Sequence, residues 1–377
     1  MTLFSSGERQ KISVPFFCYG NEKSTRPACV PATTTLSLVA LHQSTDTNIT
    51  LPTKENLMRR LAILTSGGDC SGMNATIRAA ARTAIANDVE MIGYRKGYAG
   101  LLKNDYIVLD SLAVAGTLQR GGTFLQSARS QEFRTEEGRK KALDNLLKEQ
   151  VEGLIVVGGD GSLSGALALD RMGFPVIGIP ASIDNDIAYT DMALGVDTAL
   201  NNIIYAVDCI KDTASSHDRA FIVEVMGRNS GYLASTTAIA TGAEFAIVPE
   251  VELDLTDMCH QLRRRYEEGR TNALIIMAEG AGHAQSIADG IKDAVGFETR
   301  VTVLGHYQRG GAPSVFDRLL GSRFGRKSVD LLLSGTKGVM VGLSANALTT
   351  TLLEMVVKGG QKKLNEDLLR MADILGI

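Results

Sequence analysis

Apolar residues along this chain gather in short runs that end in glycine or polar residues, and helix-like stretches follow the first two. Leu61-Ala62-Ile63-Leu64 leads into Thr65-Ser66-Gly67-Gly68-Asp69, and an Ala-rich stretch from Met73 to about Ala86 follows. Leu154-Ile155-Val156-Val157 leads into Gly158-Gly159-Asp160-Gly161-Ser162, then a helical pattern from Leu163 to Met172. Val176–Pro180 precedes Ala181-Ser182-Ile183-Asp184-Asn185-Asp186. Ala220–Val225 precedes Met226-Gly227-Arg228, and Ala273–Ala278 ends at Glu279. Continuous apolar runs of this length predict strands buried on both faces, as in parallel sheets with crossover helices. Ligands of open parallel sheets bind at the carboxyl edge of the strands, so these five polar clusters are expected to face one crevice.

The chain has 377 residues, of which 44% are hydrophobic and 21% charged. That length suits two α/β domains of ordinary size, each with its own core. A net charge of −3 without a long basic stretch argues against nucleic acid as the main partner. No apolar run approaches the roughly 18 residues of a membrane helix, so no membrane association is expected. Cys18, Cys29, Cys70, Cys209 and Cys259 are scattered without a CxxC pair. They read as reduced thiols of a cytoplasmic protein rather than a disulfide framework.

Residues 1–57 differ from the rest. They are rich in Ser and Thr, have few periodic apolar positions, and show no signal-peptide pattern. The expectation is a disordered tail rather than a targeting segment. A start at Met58, directly before the first ordered pattern, is an alternative that would leave 320 residues (377 − 57).

The clusters carry the side chains that phosphoryl transfer needs: positioning groups, cations for phosphate oxygens, and a base. Gly67, Gly68, Gly159 and Gly161 permit close backbone approach, and amides at a helix N-terminus favour phosphate. Asp160 is a hard oxygen ligand suited to Mg²⁺, with helix capping as the alternative. Asp184 and Asp186 place two carboxylates after a strand, one to take a proton and one to order metal or water. Alone, such a pair also occurs as a solvated turn. Arg129, Arg134, Arg219, Arg228, Arg300 and Arg309 suit phosphate recognition, although an isolated arginine is more often a solvated surface group. His306 to Gly311 suits a sugar-phosphate loop or a surface turn.

The ordered set of motifs resembles one family. LTSGGDCSGMNA (64–75), RGGTFLQSAR (120–129), GGDGS (158–162), SIDND (182–186), SSHDRAFIVEVMGR (215–228), AEFAIVPE (243–250) and ETRVTVLGHYQRGG (298–311) resemble the bacterial 6-phosphofructokinases. The similarity runs from about Leu61 to the C-terminus. It implies an α/β fold of two three-layer domains with mainly parallel sheets and the active site between them. The larger, ATP-binding domain would comprise 58–195 plus 308–358, and the smaller, sugar-phosphate domain 196–307 plus 359–377.

By the same resemblance, Asp184 is the general base for the C1 hydroxyl of fructose 6-phosphate. Ser182, Arg228 and Arg129, with the Gly68 amide, serve the transferring phosphoryl group. ATP is implied at Gly68, Tyr98, Arg129, Ser130, Arg134, Gly159, Asp160, Gly161, Ser162 and Gly165, with Mg²⁺ at Asp160. The sugar phosphate is implied at Ser182, Ile183, Asp184, Met226, Gly227, Arg228, Glu279, His306, Tyr307, Gln308 and Arg309. Arg219 and Arg300 would reach it from a neighbouring subunit, so a homotetramer is expected. Pyrophosphate-using relatives carry Asp at the position of Gly161 and Lys at that of Ala181; the small residues here favour ATP. Ser130 stands where many ATP-using members carry an aromatic residue against adenine. Arg78 and Arg82 match basic effector-binding positions, whereas Ser111, Gly116 and Glu268 depart from them, against regulation by ADP or phosphoenolpyruvate of the usual kind. A pyrophosphate-dependent enzyme, a silent regulatory subunit and a kinase for another sugar phosphate such as sedoheptulose 7-phosphate are the other readings.

Overall fold

The computed structural model describes residues 58–376 apart from 215–218, 271 and 297. The chain divides into two units, 1–51 and 52–377, and every described residue belongs to the second. The expected tail over 1–57 therefore lies outside the described residues, as do Cys18 and Cys29.

The apolar runs are strands. They are β1 (Arg60–Ser66), β4 (Gly153–Gly158), β5 (Val176–Pro180), β6 (Arg219–Val225) and β8 (Ala273–Ala278). The remaining strands are β2 (Glu90–Tyr94), β3 (Tyr106–Val108), β7 (Phe245–Ile247), β9 (Glu298–Val303), β10 (Val339–Ser344) and β11 (Ala347–Leu352). One sheet has seven strands in the order β11-β10-β5-β4-β1-β2-β3, and the other has four in the order β7-β8-β6-β9. Pairing is parallel except for β2 with β3 and β10 with β11, at the two edges of the larger sheet. The fold is α/β with mainly parallel sheets.

Eleven α-helices flank the sheets among the described residues: α1 (Met73–Ala86), α2 (Tyr98–Lys103), α3 (Glu136–Lys148), α4 (Asp160–Arg171), α5 (Val196–Ala214), α6 (Tyr232–Thr241), α7 (Leu255–Glu267), α8 (Ala284–Val295), α9 (Val315–Leu333), α10 (Leu353–Gly359) and α11 (Glu366–Leu375). The α1 range matches the Ala-rich stretch. The α4 helix begins at Asp160, three residues before the helical pattern read from the sequence. Gly159, extended at φ −84 and ψ −170, is the N-cap, so Asp160 sits in the first turn instead of capping it. There its charge faces the positive helix terminus.

Strand alternation explains why β6 and β8 are apolar on both sides. Val223, Val225, Leu274 and Ile276 join one core cluster, together with Leu233 and Ala238 of α6. Ala220, Ile222, Ile275 and Met277 join another, with Met258 and Leu262 of α7 and Ile287 and Ile291 of α8. Period-two alternation thus places helices on both faces of the smaller sheet. Beside the larger sheet, α1 and α9 cross closely because α9 carries glycines. A Cβ on Gly325 would stand 2.3 Å from Thr76 O, and one on Gly321 2.7 Å from Gly72 O.

After β5 the chain runs through α5 into the smaller sheet, and after β9 it returns to the larger one. The N-terminus of α5 is held by a buried carboxylate of α9. Asp317, fully buried, accepts from Gly195 N (2.9 Å), Thr198 N (2.8 Å) and Thr198 Oγ1 (2.6 Å).

Candidate active site

Parallel register brings the first three clusters to one level. Ser66 pairs with Gly158, and Gly158 with Pro180, so the turns after β1, β4 and β5 begin side by side. Close packing there requires glycine at 158: a Cβ would stand 2.4 Å from Ser66 O and 2.6 Å from Ser162 Oγ. Gly67 takes φ +91 to turn the chain away from β1. The turns bound a cleft of about 330 Å³ lined by Gly67, Gly68, Tyr98, Arg129, Ser130, Phe133, Arg134, Gly159, Asp160, Gly161, Ser162, Ala181, Ser182 and Arg309. Nine of the ten residues expected at ATP line it; Gly165 does not.

Gly165 lies instead beneath an aromatic pair. Phe133 stacks on Tyr98 with centroids 3.8 Å apart and planes at 13°, and a Cβ at 165 would stand 2.8 Å from the Tyr98 ring. The Tyr98 hydroxyl donates to Ser162 O at 2.7 Å, and burial pushes that phenol's pKa up, so it stays a neutral donor. Ser130 Oγ accepts from Phe133 N at 3.2 Å. Phe133, three residues after Ser130, lines the cleft with Tyr98, and sequence reasoning did not single it out. Its one signal is being the sole aromatic in the polar stretch after Arg129. A Cβ on Gly161 would meet nothing within 4 Å, so the cleft is open at that position.

The turn after β5 holds the carboxylates. Asn185 between them is buried in a left-handed conformation at φ +49. Its side chain donates to Asp191 O (3.0 Å) and accepts from Ala193 N (3.1 Å). Such a conformation suits Asn, whose short amide bonds locally. Asp186 Oδ1 accepts from Ser182 Oγ at 2.7 Å, so the hydroxyl expected at the phosphoryl group is directed at a carboxylate here. Asp184 Oδ1 is buried without a hydrogen-bond partner among the described residues. Burial first, then the charge of Asp186, pushes the Asp184 carboxyl up to about 6, with Arg309 and Arg228 acting in the opposite direction. Asp160 is likewise pushed up to about 6, by burial and then by Asp186. A buried, unsatisfied carboxylate near neutrality is matched to proton abstraction. No cluster of three metal-ligating side chains occurs among the described residues. The mutual repulsion of Asp160 and Asp186 nonetheless fits a divalent cation completed by phosphate oxygens and water.

A family model described as Phosphofructokinase matches residues 60–332. The chain belongs to the phosphofructokinase family. It is 45% identical over 333 residues to a protein of Halothermothrix orenii named ATP-dependent 6-phosphofructokinase, across 85% of this chain and all of that one. It is 50% identical over 291 residues to a protein of the same name from Brevibacillus brevis, across 77% of this chain and 91% of that one. Among solved structures, phosphofructokinase from Saccharomyces cerevisiae aligns with a TM-score of 0.75 at 34% identity over 85% of this chain, which spans 48% of the yeast chain. The family match runs from β1 through most of α9 and so takes in every residue of the cleft.

The remaining residues expected in this phosphofructokinase chain fall into three groups. Met226, Gly227 and Arg228 follow β6, and Glu279 follows β8, at the carboxyl ends of adjacent parallel strands. His306, Tyr307, Gln308 and Arg309 form a short 3-10 turn after β9. Gln308 is buried and its amide is engaged internally, accepting from Met226 N (3.0 Å) and donating to Gly305 O (3.0 Å). Arg309 reaches over Gly68, where a Cβ would stand 2.6 Å from its Nη1, and donates to Asp69 O at 3.1 Å. It thus lies in the cleft as well as beside Asp184. The Ile183 side chain is buried, which leaves only its backbone for a ligand.

Arg219 and Arg300 stand apart from these groups. Arg219 Nε pairs with Glu298 at 2.7 Å, and Arg300 pairs with the same carboxylate. At about 3.3 Å per residue, Arg219 is roughly 20 Å along β6 from Met226. Arg78 and Arg82 sit one turn apart on α1, and Glu268 pairs with Arg264 at 4.0 Å at the end of α7. Cys70 and Cys259 are buried free thiols and Cys209 an exposed one. No helix of the described residues is long and apolar enough to cross a membrane.

Proposed function

We infer that this chain is an ATP-dependent 6-phosphofructokinase, which transfers the γ-phosphoryl group of ATP to the C1 hydroxyl of fructose 6-phosphate. Family membership and the relatives' names support this reading. The observation that carries it is the Asp184 carboxyl, raised to about 6 with an unpartnered buried oxygen, beside a cleft of phosphate-binding turns.

Asp184 takes the proton as the C1 oxygen attacks the γ-phosphorus. Arg228, Arg309 and the Gly68 N–H neutralise the phosphoryl oxygens, where preorganised donors contribute most. Arg129 and Arg134 hold the remaining phosphates of the donor, and the Tyr98–Phe133 wall flanks its base. Asp160 with Asp186 would hold Mg²⁺, which when bound supplies positive charge to the phosphate oxygens. Met226, Gly227, Glu279 and His306 receive the sugar phosphate.

ATP rather than pyrophosphate is the donor because Gly161 and Ala181 leave room beyond two phosphates. In this reading Arg219 and Arg300, remote from Met226 within one chain, serve the site of a second copy in a homotetramer. The domain division at 195/196, 307/308 and 358/359 and a cytoplasmic location belong to the same reading. A coupled assay with fructose 6-phosphate tests it. Turnover with ATP is expected. Turnover only with pyrophosphate would reverse the donor assignment, and turnover only with sedoheptulose 7-phosphate would reverse the acceptor assignment.

A further inference from the structure

Asp184 and Arg228 stand on different sheets, one after β5 and the other after β6. The base and the phosphate clamp need a fixed separation, since a misplacement of about 1 Å can cost on the order of a hundredfold in rate. The turn carrying Arg228 is immobilised against its own sheet. Gly227 has φ +131, and a Cβ there would stand 2.3 Å from Ser230 O. Gly280 N donates to Gly227 O at 3.2 Å, and a Cβ on Gly280 would stand 1.8 Å from Arg228 O. Both Glu250 oxygens accept from Gly231 N, at 2.8 and 3.0 Å.

From this fixed turn one hydroxyl reaches the base. Ser230 is 6% exposed, and its Oγ donates to Asp184 O at 2.9 Å. The same oxygen accepts from Tyr232 N at 3.4 Å, which aims the hydroxyl at Asp184. Because Asp184 Oδ1 has no partner, the carboxylate is placed through its backbone. The other end of the catalytic turn is held separately: Lys362 N donates to Asp186 O at 2.7 Å, and Lys362 Nζ to Thr190 O and Asp191 O at 2.9 Å each.

We propose that Ser230 is a positioning residue of the transfer reaction, whose hydroxyl ties the backbone of Asp184 to the Arg228 turn and so sets the base against the clamp across the two sheets. It does not line the cleft of phosphate-binding turns. Its loss therefore acts on the transfer step and leaves binding of either substrate largely intact.

The inference rests on the kinase reading, so the unmodified protein is assayed first. Absence of turnover there sinks the function, whereas the variants judge Ser230 alone. Ser230→Ala, Ser230→Thr and Ser230→Cys are compared by steady-state kinetics and thermal melting. With Ala, kcat is expected to fall about 5- to 20-fold, as for loss of one buried hydrogen bond, with both KM values within about twofold. Thr, which keeps the hydroxyl, recovers most of the loss. If the Ala protein does not fold, Cys, of similar shape but a weak donor, is read by the same split. A kcat within about twofold of the parent for Ala or Cys overturns the proposal. So does an equal loss in Thr and Ala, or a KM that rises as far as kcat falls.

Discussion

At Asp184 a single side chain carries two opposite consequences. Burial, and then the charge of Asp186, push its carboxyl up from the ordinary carboxylate range to about 6. As the proposed base, Asp184 is ionised above that value, so kcat/KM should fall about tenfold per pH unit below about pH 6. A rate profile with an acid limb near 4 would show that another group limits the reaction. For stability the sign is reversed. Between about pH 4 and 6 the folded state binds more protons than the unfolded chain, so Asp184 weakens the fold above pH 6 and the weakening is relieved on acidification. Asp184→Asn should therefore lower kcat by about a thousandfold or more while raising the melting temperature at pH 7.5, which activity assay and calorimetry measure together. Gly161 makes the complementary case for the donor. A side chain there enters open cleft beside Asp160, so Gly161→Asp should raise the KM for ATP at least tenfold and leave that for fructose 6-phosphate within about threefold. Both positions were singled out through the ordered motifs, since glycines and acids at one strand end also make ordinary turns. Phe133 and Ser230 were not, since an aromatic in a polar stretch and a serine in a turn have many structural reasons to occur.

Among the elements, α5 is decisive because it joins the two sheets and carries Asn202, which donates to Gly310 O at 2.9 Å and so braces the turn of Arg309. Its N-terminus depends on Asp317. Burial raises that carboxyl, while the bonds from Thr198 and Gly195 lower it and its ionised form suits a helix N-terminus. Asp317→Ala would leave two amides and a hydroxyl unpaired in a buried site. We expect a loss of about 2–4 kcal/mol in denaturant unfolding, with a rise in the KM for fructose 6-phosphate from the loosened turn. An unfolding midpoint equal to the parent's would exclude this anchoring role. The first strands and helices were readable from apolar runs and Ala-rich spacing. The β9 edge strand was not: its Glu298, Arg300 and Val303 are exposed, so it lacks the continuous apolar signature of a strand buried on both faces.

For the whole molecule the question is how many chains make one site. Arg219 and Arg300 share Glu298 far from the Met226 end of their sheet, so within one chain they do not serve it. If they complete a neighbour's site, Arg300→Ala and Asp184→Ser are each expected to be nearly inactive alone. Co-expressed and mixed in one assembly, they should regain a fraction of parental activity, because some sites then receive an intact Asp184 from one chain and an intact Arg300 from another. No gain in assemblies shown by mass to contain both chains would refute shared sites.

The sequence by itself determined the α/β class, the strand-turn-helix units, the family and most of the residues facing the cleft. Those features are local: a run of apolar residues, a turn that only glycine permits, a carboxylate at a strand end. Tertiary structure alone decided which turns meet. It set β1, β4 and β5 side by side, carried Arg309 over Gly68, buried the Gln308 amide and brought Ser230 from the other sheet to Asp184. Contacts between residues 46 or 240 positions apart follow from strand order and register, which no local pattern of side chains encodes.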